Sequence, residues 1–131
     1  MIQKWYSDLL HLHATKWGLE VPEPRPLITD ETSPYPKLTA IETLTWRDTQ
    51  APHHYTEIAL VTLNGRYSYT LNFQWRDHGR GYLPFLKFCD PFPTQADALT
   101  AAIADLQRAD PPSEMRTWIH ELTAPKQLSL L

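Results

Sequence analysis

An α+β domain, a meander of three or four antiparallel strands packed by helices, is the fold class this sequence predicts, on three observations. Residues 66–76 alternate: Tyr67, Tyr69, Leu71, Phe73 and Trp75 share one face, while Ser68, Thr70, Asn72 and Gln74 share the other. That pattern belongs to an antiparallel sheet with one covered face and one wet face. Asn64-Gly65 separates this run from a second β-patterned run, residues 55–63, and Asn-Gly between two such runs specifies a tight hairpin. Residues 94–108 then repeat Leu99, Ala102, Ile103 and Leu106 at helical spacing, a stripe that would cover the aromatic sheet face.

Residues 2–17 place Ile2, Trp5, Tyr6, Leu9, Leu12 and Trp17 near helical spacing, and Gly18 follows as a C-cap, so a first helix is expected with those residues as its buried stripe. Residues 20–37 hold most of the early prolines and read as an extended surface connector, because proline cannot sustain a helix or donate to a central ladder. Residues 38–47, rich in Thr and apolar side chains, make the first strand. Asp77-His78-Gly79-Arg80-Gly81 reads as a turn, and residues 82–89 as a fourth strand that Pro84 places at an edge. Thr94 and Asp97 form a capping-box pattern at the start of the second helix. A last short helix follows Pro111-Pro112, with Ser113 as N-cap and Met115, Trp118, Ile119 and Leu122 inward. The domain spans residues 1–122, and residues 123–131 are a tail without a partner in the pattern.

The 131 residues suffice for one core, and 42% hydrophobic with 21% charged residues is a globular composition. A net charge of −3 lacks the strongly basic balance of a dedicated nucleic-acid binder. The lone Cys89 excludes an intrachain disulfide framework and a multi-cysteine zinc site, which suits a reducing compartment. The first residues carry polar groups where a signal peptide needs an apolar run, and no run approaches the roughly 20 residues of a membrane span. A bacterial or phage-infected cytoplasm is the expected home.

No catalytic constellation is visible. A nucleophile would need Cys89 or a serine beside a positioned base, and neither a nucleophile elbow nor a phosphate loop is present. His11 and His13 diverge on a helix, and no acidic residue completes a metal pattern with His53-His54. Neither a metal nor a cofactor is expected. Tyr67, Tyr69, Phe73 and Trp75 beside Arg47, Arg66, Arg76, Arg80 and Lys87 could stack bases and neutralise phosphates. The same aromatics facing a helix are ordinary core, and that reading is preferred. The remaining polar face, Arg66, Asn72, Gln74, Arg76 and Arg80, is then a candidate surface for a partner. Trp-Arg-Asp occurs at 46–48 and again at 75–77, both times at the end of an expected strand.

Residues 127–131, Gln-Leu-Ser-Leu-Leu, resemble the short motif by which bacterial proteins bind the replication sliding clamp. The resemblance implies that Gln127 makes polar contacts and that Leu128, Leu130 and Leu131 dock in a hydrophobic pocket, with Leu131 standing where Phe is often found. An apolar peptide on a polar leash suits such capture. The expectation is therefore a small non-enzymatic accessory protein, of plasmid or phage character, recruited to the clamp. The alternative is an inhibitor or adaptor of anti-restriction or anti-nuclease type acting through its polar sheet face. Either works as a monomer or as a dimer paired through a free sheet edge.

Overall fold

The structure, a computed structural model, describes residues 4–25, 27, 35–76, 78–81 and 89–123. Helix α1 (Lys4–Lys16) precedes four strands, β1 (Thr39–Arg47), β2 (Tyr55–Leu63), β3 (Arg66–Trp75) and β4 (His78–Gly81). Helix α2 (Gln95–Arg108), one 3-10 turn (Ser113–Met115) and α3 (Arg116–Thr123) follow. The strands form one antiparallel sheet in the order β1-β2-β3-β4, the expected meander.

The hairpin stands where Asn-Gly puts it. Leu63 pairs with Arg66, and Asn64 and Gly65 take φ values of 53° and 74°, the left-handed pair that a two-residue turn between right-twisted strands needs. From that register every side-chain direction follows. Leu44 and Trp46 of β1, Ile58 and Leu60 of β2, and Leu71, Phe73 and Trp75 of β3 face α2 and α3. There they meet Ala98, Ala102, Ile103, Leu106, Met115 and Ile119. Helix α2 opens as expected, with the Thr94 side chain accepting from the Asp97 N–H. The last helix differs at its start: Ser113 lies inside a 3-10 turn whose cap is Pro112, so no side chain caps it. The Pro111-Pro112 pair already sets an extended entry, and the turn tightens to insert Met115.

Three expectations change. The fourth strand begins at His78 rather than after Gly81, because Arg76 takes φ 55° and turns the chain so that His78 already pairs with Trp75. Gly79 and Gly81 then lie under the side chains of Gln74 and Asn72, whose amide oxygens approach within 2.4 and 2.3 Å of where a Cβ would stand. Of the expected strand at 82–89, only Cys89 is among the described residues.

Helix α1 also turns its other side inward. Ser7, Leu10, His11 and Ala14 are buried, while Trp5, Leu9 and Leu12 are 64%, 37% and 54% exposed. Third, the face expected to be wet is covered at one end. Ala14 and Trp17 pack with Leu38, Val61 and Cys89, so α1 lies on the sheet face opposite α2, near the 64–65 turn. Ser68 and Thr70 on that face are buried at 1% and 3% exposure. Small and polar groups there favour contact by the Ser7, His11 and Ala14 side of the helix over its Trp and Leu side.

The end of α1 is built by Gly18. At φ 72° its N–H donates to Thr15 O and the Leu19 N–H to Ala14 O, a Schellman closure. Asn64 Nδ2 donates to Trp17 O and the Arg66 guanidinium to Lys16 O, both at 2.8 Å, so the hairpin tip holds the helix end.

Candidate functional site

Of the five polar residues expected to share a sheet face, the structure keeps three together. Arg66 is on that face, but its guanidinium caps the carbonyl end of α1, where a cation suits the negative pole of the helix. Asn72 and Gln74 lie side by side, and Arg76 projects from the turn that follows them. Across the strands they continue into two rows, Arg47–Tyr55–Gln74 and Thr45–Glu57–Asn72. The Arg47 guanidinium sits 5.4 Å over the Tyr55 ring and donates to Pro52 O.

Arg80 is on the other face. It pairs with Phe73, lies 6.0 Å over that ring and contacts Asp105 of α2 at 2.5 Å. Asp105 also accepts from the Tyr69 hydroxyl at 3.1 Å and lies 3.7 Å from Arg108. The sequence carries no signal for this cluster, because Asp105 reads as an ordinary polar position of an amphipathic helix. Beside it, Tyr69, Arg80, Cys89, Phe92 and Asp105 line a cavity of about 330 Å³.

The chemistry available in that cavity is limited. Cys89 is 2% exposed, and burial pushes its thiol up to about 12. It is therefore protonated at neutral pH and donates weakly to Tyr69 O at 3.6 Å. Asp105 is held by two cations and a phenol. Among the described residues no group of three or more His, Cys, Asp or Glu is placed to hold a metal ion. No helix among them is long and apolar enough to cross a membrane.

The aromatic strand face is core. Phe73 and Trp75 are 2% and 4% exposed and stack on each other with ring centres 3.9 Å apart, so bases cannot reach them. Trp75 Nε1 donates to Thr56 Oγ1 at 2.6 Å, and that hydroxyl donates to Met115 Sδ at 3.3 Å. Trp46 and Asp48 of the first Trp-Arg-Asp segment meet Trp75 and Arg76 of the second at this end of the sheet. Trp46, Asp48, His54, Trp75, Arg76 and Glu114 line a crevice of about 50 Å³, too small for more than a water or two. The segments do different work. Asp48 accepts from the Gln50 N–H in the β1–β2 turn, whereas Arg76 takes the left-handed position of the β3–β4 turn.

Two surfaces remain that sequence reasoning placed elsewhere or left open. Trp5, Leu9 and Leu12 form an exposed stripe along α1, assigned from the sequence to the core. The helix carries two interleaved stripes, and only the nature of the covering sheet face decides between them. The second is β1, a nine-residue strand at the sheet edge, largely exposed along its length. Gln127, Leu128, Leu130 and Leu131 lie outside the described residues. Compared with protein-family models, with curated proteins and with solved structures, the chain finds no match in any of the three.

Proposed function

We propose that this chain is a small non-enzymatic accessory protein that binds a macromolecular partner, and that residues 127–131 bring it to the bacterial replication sliding clamp. The observation that carries this reading is the sequence Gln127-Leu128-Ser129-Leu130-Leu131. Two features support it. The fully buried apolar residues among those described run from Leu10 to Ile119, and Leu122 packs against them, so the folded body has an interior of its own upstream of the motif. The one thiol is buried and protonated, and the carboxylate beside the cavity is committed to an ion pair, which leaves binding rather than turnover as the work these groups suit. The plasmid or phage character expected of such a protein belongs to the same proposal.

The test is a displacement assay with a labelled peptide of residues 123–131 bound to a bacterial sliding clamp. The intact chain should displace it, and a chain carrying Gln127→Ala with Leu130→Ala should not. Failure of the peptide to bind at all would remove the reading.

A second reading is an inhibitor or adaptor of anti-restriction or anti-nuclease type, acting through the outer sheet face. What favours it is the polar half that α1 leaves open, where Asn72, Gln74 and Arg76 adjoin Arg47 and Tyr55. Charge reversal at Arg76 that abolishes function while clamp binding is unchanged would select it.

A further inference from the structure

We propose that two copies of this chain associate through β1, the edge strands pairing antiparallel about a two-fold axis at Thr45. The pairing parity fixes which backbone groups of β1 point outward. Asp48 N–H donates to His54 O within a register that pairs Arg47 with Tyr55, so Asp48, Trp46 and Leu44 turn their N–H and C=O groups toward β2. The β2–β3 hairpin gives the same parity from the other side. Leu63 and Arg66 flank its two-residue turn, so Tyr55, Glu57, Ala59, Val61 and Leu63 bond to β3 and the even residues of β2 bond to β1. Thr43, Thr45 and Arg47 therefore direct their backbone donors and acceptors away from the sheet, where no partner stands among the described residues.

Little guards that edge. Natural sheets protect an edge with proline, lysine, a bulge or an inward charge. Here a bulge at Ala40–Glu42 blunts the first part of the strand, and Gln95 Nε2 donates to Glu42 Oε2 there. From Thr43 to Trp46 none of these devices is present, and two of the four residues are β-branched threonines.

Self-complementarity selects a second copy over a foreign strand. An antiparallel pair opposes side chains of the same face, and about Thr45 the same faces coincide. Thr45 meets the partner's Thr45, and Arg47 meets the partner's Thr43. On the helix side Leu44 meets the partner's Trp46. Leu44 and Trp46 are only half-buried on the rim of the core, and the added strand would complete their burial. The contact covers five residues on each strand, at the small end of specific interfaces, so the dimer should be of micromolar affinity.

Sedimentation equilibrium of the full chain tests this. The wild-type chain should approach twice its 15.2 kDa mass at about 100 μM. Thr45→Pro deletes an N–H that β2 does not use, so it should leave the far-ultraviolet circular dichroism unchanged and sediment as the monomer. Should that variant unfold, two cysteine variants decide. Oxidised Thr45→Cys should link to itself, because directly opposed residues stand about 5.5 Å apart at Cα, within disulfide reach. Thr43→Cys, opposed to Arg47, should not link. A monomeric wild type, a dimer that survives Thr45→Pro, or equal linking by both cysteines would overturn the proposal; a monomeric wild type would also leave this edge for a strand from another protein.

Discussion

Thr56 ties the sheet to the 3-10 turn before α3 through one hydroxyl, accepting from Trp75 Nε1 and donating to Met115 Sδ in a fully buried setting. Thr56→Val keeps the shape and removes the acceptor, leaving a buried indole N–H unsatisfied. The expected loss is about 1–3 kcal/mol in urea unfolding, larger than an isosteric surface change would give. Gly18→Ala should cost about 1–2 kcal/mol, because a Cβ is strained at φ 72° and would stand 2.5 Å from the Arg66 guanidinium.

His13 gives a pH dependence. Burial lowers its pKa from 6.5, with Lys16 adding to the effect and Asp90 opposing it, and its Nδ1 has no hydrogen-bond partner among the described residues. The unfolded chain therefore takes up a proton at a higher pH than the folded chain, so stability falls as pH drops through 6.5 toward the lower folded value. Thermal melts at about pH 7.5 and pH 5.5 should differ less in His13→Gln than in the wild type.

At the scale of elements, α1 is where pattern and structure part. Leu10 is 8% exposed and Leu12 54%. Leu10→Ala should cost about 2–3 kcal/mol, while Leu12→Lys should stay within about 0.5 kcal/mol; the reverse order would mean that the helix packs by its other side. The strands were legible because alternation and Asn64-Gly65 fix their register and faces without reference to anything distant. The inward side of α1 was not, since Trp5, Leu9 and Leu12 form as good a stripe as Leu10, Ala14 and Trp17, and the sheet face beneath includes Ser68 and Thr70. Strand β4 was misplaced for a related reason: Gly79 and Gly81 have no side chains to alternate, and its turn uses Arg76 at positive φ rather than glycine. The Asp105 cluster depends on β4 reaching α2, so it was invisible as well. A double-mutant cycle on Arg80 and Asp105 should give a coupling of about 0.5–1 kcal/mol, modest because the arginine side chain is 39% exposed.

For the whole molecule, the sheet separates two cores of unequal kind. The α2–α3 side is aromatic and continuous, whereas the α1 side is smaller and closes around Trp17, whose Nε1 donates to Cys89 O at 3.0 Å. Cys89 sits inside that smaller core, so its thiol should resist alkylation at pH 8 until the protein unfolds, and its modification rate reports opening of the α1 layer. Among the described residues Leu122 is the last to pack against either core, and the outer surface keeps an open polar half-face, an exposed apolar helix stripe and a strand edge blunted only by the bulge at its start. Calorimetric titration of the intact chain, and of a chain ending at Lys126, into a bacterial sliding clamp tests recruitment most directly. The intact chain should show saturable micromolar binding and the shortened one none, with both melting at the same temperature. Equal binding by the two, or none by a folded intact chain, would contradict it.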